Sequence, residues 1–152
     1  MNGADRADEF MRIYEATEPS DLLAEAFARL LPQLSERMTA PDREAVARIV
    51  ASPATRQLVA AAEDGRIVGL LSVALYDVPS GRKAWIEDVV VDAATRGRGI
   101  GEALVREALA LARREGVARV MLTSNATRRA AHRLYERMGF VRYETDCFRL
   151  DL

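Results

Sequence analysis

The hydrophobic pattern of the chain changes period several times, and each change predicts an element. From Phe10, the stretch FMRIYEAT alternates apolar and polar side chains with β-branched and aromatic members, the signature of a strand. Past Glu18-Pro19, Ser20 is a helix cap ahead of Leu22, Leu23, Ala26, Phe27, Leu30 and Leu31. Their three- and four-residue spacing predicts an amphipathic helix that Pro32 limits or kinks. A second helix is expected from about Thr39 and Pro41, with Val46, Ile49 and Val50 on one face. It ends before Ser52-Pro53, because the residue ahead of a proline is pushed out of the helical region.

The period then shortens. Gln57 to Glu63 and Arg66 to Tyr76 predict two strands joined at Asp64-Gly65, the sharpest hairpin signal in the chain. After a loop over Val78 to Arg82, KAWIEDVVVD has the β-branched centre of a strand buried on both faces. Glycines interrupt from Arg96 to Gly101. Helical spacing returns at Leu104, Ala108, Leu111 and Ala112, with Gly116 as the stop. Val117 to Ser124 predicts a strand, Thr127 to Met138 a helix stopped by Gly139, and Phe140 to about Leu150 a last strand. The expected order is β α α β β β α β α β, without repeats or linkers. Met1 to about Glu9 has few apolar side chains and predicts a loose leader, so one domain is expected over 10–152.

Composition narrows the chemistry. The 152 residues are 49% hydrophobic and 30% charged, a globular balance. With 22 Lys plus Arg against 23 Asp plus Glu, the chain has no general field for nucleic acid or anionic membrane, so an anion must be held locally. One cysteine, Cys147, and one histidine, His132, exclude an intramolecular disulfide and a thiolate zinc site. Cys147 is expected as a small buried residue and His132 as a helix-surface or packing residue. No apolar run approaches a membrane span, and the acidic start is unlike a signal peptide, which predicts a soluble cytoplasmic protein.

The anion site is legible locally. Val89 to Asp92 ends a strand, and Arg96-Gly97-Arg98-Gly99-Ile100-Gly101 runs straight into a helix that begins with Glu102. Unpartnered first-turn N–H groups, the helix dipole and the close approach that glycine permits all favour an anion there, and Arg96 and Arg98 add charge. The spacing is not a Walker loop, which ends in Lys and then Ser or Thr. Nor is it a dinucleotide fingerprint, since the last glycine of G-x-G-x-x-G is missing. A diphosphate on another cofactor remains.

Arg96 to Gly101 fits the pattern R/Q-x-x-G-x-G/A, and Ser124-Asn125 followed by Leu134-Tyr135-Glu136-Arg137-Met138-Gly139-Phe140 fits an LYxxxGF ending. Together these motifs resemble the GNAT superfamily of N-acetyltransferases. The resemblance implies an α/β fold with a central, mostly antiparallel sheet of six to seven strands, a splayed parallel pair and about four flanking helices. It implies acetyl-CoA as co-substrate, with its pyrophosphate on the backbone of Arg96, Gly97, Arg98, Gly99, Ile100, Gly101 and Glu102. It also implies pantetheine and acetyl contacts at the backbone of Val89 and Val91, and a pantetheine or loop-fixing role for Asn125, beside which a plain capping role for Asn125 or Thr127 stands open.

Direct attack of an amine on a thioester needs a proton acceptor, an oxyanion donor and a proton donor for the leaving thiolate. By resemblance Tyr135 is the acid, with core packing as its alternative, and the N–H near Val89 the oxyanion donor. Glu87 is favoured as the base, with Asp88 its rival, because strand alternation lets only one of them face an acceptor cleft; satisfaction by backbone amides or an arginine is the structural alternative. WIEDVVVD with RGRGIG looks like glucosamine-6-phosphate N-acetyltransferases, and the run Ser124 to Tyr135 like aminoalkylphosphonate N-acetyltransferases. A small-molecule amine acceptor is thus expected, with no metal and with the homodimer common among relatives. The competing readings are a protein N-terminal or lysine acetyltransferase and, from another class, a non-catalytic acyl-CoA-binding module.

Overall fold

The computed structural model of the chain describes residues 11–152; the expected leader and Phe10 lie outside the described residues. The elements run β1 (Met11–Ala16), α1 (Asp21–Leu34), α2 (Arg43–Ala51), β2 (Thr55–Ala62), β3 (Ile67–Val78) and β4 (Gly81–Val91). A 3-10 turn (Ala93–Thr95), α3 (Ile100–Arg114), β5 (Val120–Met121) and α4 (Arg129–Arg137) follow. The sheet order is β1-β2-β3-β4-β5, antiparallel through β4, with β5 parallel to β4.

Local chemistry sets most boundaries. Ser20 Oγ accepts from the Leu23 N–H at 3.1 Å and opens α1, and Pro32 sits in its last turn without stopping it short of Leu34. α2 starts later than Thr39 because the Asp42 carboxylate takes the cap, accepting from the Ala45 N–H at 2.8 Å. Gly65, at φ +85, makes the β2–β3 turn. The next hairpin is tighter than the expected loop: Val78 pairs with Gly81, leaving only Pro79 and Ser80 outside the ladder.

Both sheet faces are covered, which is why β2 and β3 read as nearly continuous apolar runs. On one face α3 buries Leu104, Val105 and Ala108 against Leu58, Val73, Ala84 and Ile86. On the other, α1 and α2 bring Leu23, Phe27, Leu30 and Val46 onto Val59, Leu70 and Val90. Gly69 lets the first turn of α3 close on β3: a Cβ there would stand 3.0 Å from Leu104 Cδ1 and 3.1 Å from Ile100 Cγ2.

Four expectations about the C-terminal third are corrected. Among the described residues the sheet has five strands rather than six to seven. β5 spans only Val120–Met121 instead of Val117 to Ser124, and no strand forms over Phe140 to Leu150. The alternating pattern of that last segment supplies a pleated face, but a strand exists only where a neighbouring backbone completes the ladder, and none does here. Phe148 and Leu150 are accordingly 91% and 83% exposed, and Cys147, expected as a small buried residue, is exposed with them.

Candidate active site

The middle of β4 carries a β-bulge. Leu70 pairs with Val90 and Ser72 with Glu87, so one residue of β3 between them opposes two of β4. Asp88 absorbs the insertion at φ +50, the one positive φ outside glycine among the described residues. This changes the expected alternation, because the bulge shifts the side-chain phase of the strand by one. Ala84 and Ile86 belong to the core under α3, Val90 to the core under α1, and Val89 and Val91 pack back toward α3. Both Glu87 and Asp88 are exposed, so strict alternation does not select between them.

The register nevertheless separates their surroundings. Glu87 is the cross-strand partner of Ser72, which itself pairs with Gln57, making a polar row over three strands on the α1 side of the sheet. The Ser72 hydroxyl donates to Gln57 Oε1 at 2.8 Å, and Gln57 Nε2 donates to the Leu71 carbonyl at 3.3 Å. The sequence reading missed Gln57 and Ser72; their signal is a polar residue inside an otherwise apolar strand. Partial burial, and secondarily the Asp88 carboxylate beside it, raise the Glu87 pKa above the usual carboxylate range.

Beyond the bulge β4 has an open edge. β5 pairs with it only at Ala84 and Trp85, so Ile86 to Val91 have no strand on that side among the described residues. This is the splayed parallel pair. At the end of the edge the Val91 carbonyl accepts from Arg96 Nε at 3.3 Å.

The glycine loop continues from there. Gly97 and Gly99 have φ of +79 and +78, which side chains resist, and Gly99 caps α3 without any side-chain bond. The first bond into the helix is Ala103 N–H to the Gly99 carbonyl, leaving the N–H groups of Ile100, Gly101 and Glu102 without helical acceptors. A Cβ on Gly97 would meet nothing within 4 Å, so the loop is open in front. These donors, with exposed Arg96 and Arg98, fit a diphosphate; the one acid of the turn, Glu102, is engaged by Arg106 at 2.6 Å. Gly101 has a different task. A Cβ there would lie 3.2 Å from Leu134 Cδ2, so its bareness admits α4 beside α3.

Tyr135 follows Leu134 on α4. The ring is partly buried, meets Phe140 edge to face at 5.7 Å and belongs to the margin of the core, so a packing role is present. Burial raises the phenol pKa, with a smaller opposing effect of Arg128, so the hydroxyl keeps its proton at neutral pH. Asn125 fixes the loop ahead of α4: its Oδ1 accepts from Thr127 N at 3.0 Å and Thr127 Oγ1 at 2.8 Å. Among the described residues no group of His, Cys, Asp and Glu is placed to hold a metal, and no helix is long and apolar enough to cross a membrane.

Comparison with known proteins agrees with this geometry. The profile of the Acetyltransferase (GNAT) family matches residues 8–140. A probable glucosamine 6-phosphate N-acetyltransferase 2 of Oryza sativa is 35% identical over 141 residues, covering 86% of this chain and 81% of that protein. A mycothiol acetyltransferase of Thermomonospora curvata is 36% identical over 89 residues, or 59% of this chain, but the match spans only 29% of that longer protein. Among solved structures, an acetyltransferase of Trypanosoma brucei superposes with a TM-score of 0.76 at 30% identity over 93% of this chain and 99% of that one. An aminoglycoside acetyltransferase from a soil metagenome reaches 0.84 at 22% identity over 95% and 98%, a likeness of fold alone. With its bulged and splayed β4, glycine-capped α3 and a profile match over most of its length, the chain belongs to the GNAT family of acetyltransferases.

Proposed function

We propose that this chain is an acetyl-CoA-dependent N-acetyltransferase, one domain over 10–152, acting on the primary amine of a small molecule in the cytoplasm. The observation that carries the reading is the conjunction at β4 and α3: a bulge bearing two carboxylates, an open strand edge, and a helix start whose N–H groups face an uncovered loop. The backbone from Arg96 to Glu102 holds the pyrophosphate, and the open edge at Val89 and Val91 takes the pantetheine arm and the acetyl carbonyl. When bound, acetyl-CoA supplies the thioester acetyl group.

The chain's own residues then move two protons. Glu87 accepts one from the ammonium of the acceptor, giving the neutral amine that attacks, and its raised pKa makes it a stronger base than an ordinary carboxylate. Tyr135 Oη gives its own to the departing sulfur as the C–S bond breaks, and the phenolate left behind takes the second proton that the attacking nitrogen sheds as the amide forms. Asp88 tunes Glu87, and the Gln57–Ser72 pair lines the strand from which the acceptor is approached. Likeness to glucosamine 6-phosphate acetyltransferases over most of both chains favours an amino sugar phosphate or another compact amine over a protein acceptor.

The test is thiol release from acetyl-CoA with amino sugars and their phosphates, aminoalkylphosphonates, polyamines, amino acids and short peptides, with calorimetric acetyl-CoA binding alongside. Turnover with a small amine is expected. Turnover with peptides alone would make the chain a protein acetyltransferase, and binding without turnover would leave a non-catalytic module. Tyr135→Phe should keep acetyl-CoA affinity while lowering kcat by about 10²-fold.

A homodimer is proposed on a separate observation. A groove of about 470 Å³ opens between β5, the C-terminal end of α3 and the Val141–Tyr143 stretch. The same chain exposes Phe148, Leu150 and Leu152 on an unpaired segment. The groove is flanked by Arg113 and Arg119, and although Asp151 of the segment is taken by Arg149 at 2.7 Å, its Glu144 and Asp146 are in no ion pair among the described residues, so a second copy offers the matching apolar pattern with two acids for the two arginines.

A further inference from the structure

The approach to the glycine loop is held from behind by α1. Asp92, directly after β4, is only 7% exposed. Its carboxylate accepts from the Ala94 N–H at 3.1 Å, Arg29 Nη1 at 3.0 Å and Gln33 Nε2 at 3.5 Å. Gln33 Oε1 in turn accepts from the Ala93 N–H at 2.8 Å. The second arm of Arg29 donates to the Ile67 carbonyl at 2.7 Å, and its Nε is paired with Glu25 at 2.7 Å. Glu25, Arg29 and Gln33 recur at four-residue steps, so they form one stripe of α1. The stripe grips the start of β3 and the 3-10 turn, the two backbones between which the loop departs. The Ala94 bond, with Gln33 and Arg29, holds the Asp92 carboxyl below its usual pKa, so it stays charged under working conditions.

We propose that Arg29 and Gln33 are positioning residues of the phosphate-binding loop. They touch no substrate. By fixing Asp92 and Ala93 they set where the chain enters Arg96 to Gly101, and hence where the N–H groups at the start of α3 are presented. A preorganised donor set binds an anion more tightly than one that must be ordered on binding. The stripe belongs to the helix that covers the Glu87 side of the sheet, so it also ties the acceptor side to the loop. This inference rests on the reading that the glycine loop takes the pyrophosphate.

The test compares dissociation constants, by calorimetry, for acetyl-CoA and for acetyl-pantetheine, which carries the same thioester without any phosphate. The proteins are the wild type, Arg29→Met, Asp92→Asn, the double variant, and Gln33→Ala, a milder change in case the ion-pair variants fold poorly. Wild type should bind acetyl-CoA far more tightly than acetyl-pantetheine. Arg29→Met and Asp92→Asn should each weaken acetyl-CoA about tenfold, and Gln33→Ala about threefold, with acetyl-pantetheine unchanged and the double variant no worse than the weaker single one. Equal losses for both ligands, or unchanged acetyl-CoA affinity in folded Gln33→Ala and Arg29→Met, would overturn the positioning role while leaving the pyrophosphate reading intact. A wild type that does not distinguish the two ligands would remove that reading, and this inference with it.

Discussion

In the proposed function, the chemistry turns on glycine at position 99 and the carboxylates at 87 and 88. Gly99 caps α3 at φ +78, a conformation that costs a residue with a Cβ about 1–2 kcal/mol. Gly99→Val should therefore twist the loop and raise the acetyl-CoA dissociation constant by roughly tenfold or more in calorimetry. The motif spacing alone made this legible, since only glycine serves there. The pH behaviour was not legible. As the proposed base, Glu87 acts deprotonated, and burial raises its pKa, so activity should climb as pH rises through a value above its ordinary one. Asp88→Asn removes the neighbouring negative charge but not the burial, so the acidic limb of the kcat/KM profile should move to lower pH without returning fully to the ordinary value. A limb that stays put in Asp88→Asn would separate Glu87 from the rate. Sequence alternation had allowed only one of these two residues to face the cleft; the bulge at Asp88 lifts that restriction, and no local pattern announces a bulge.

Elements follow from local chemistry where caps and periodicity agree. α1 opens at Ser20 because its hydroxyl satisfies an orphan N–H, and the Asp64-Gly65 turn joins β2 and β3 as its residue types require. What the pattern did not carry is how closely elements approach. Gly69, inside an apolar strand, is the seat of α3 on β3, and Gly101 is the seat of α4 on α3. Gly69→Val should push against Leu104 and Ile100, costing about 1–3 kcal/mol and lowering the melting temperature, and should weaken acetyl-CoA binding by moving the start of α3. Gly101→Leu should press on Leu134, the neighbour of Tyr135, so in kinetics its larger loss should appear in kcat. The sequence reading assigned Gly101 to the phosphate alone, because a contact 33 residues away leaves no mark on local spacing.

At the scale of the whole molecule, two cores clasp the five strands found among the described residues, and the residues after Phe140 stay exposed, with Tyr143 under Arg119. An exposed apolar segment beside an apolar groove predicts association: sedimentation at micromolar concentration should give a dimer, and Phe148→Glu with Leu150→Glu should give a folded monomer. A wild-type monomer would show that a second copy does not cover this face. Local sequence carried the element order from β1 to α4, the glycine loop ahead of α3 and the family, because caps, turn residues and periodicities act over a few neighbouring positions. The tertiary structure alone decided the bulge that displaces Asp88, the row of Gln57, Ser72 and Glu87, the grip of α1 on Asp92, and the absence of a strand after Phe140. Each of these depends on which backbone or side chain arrives from far along the chain to pair with it, and pairing between distant segments is fixed by the register and packing of the folded molecule.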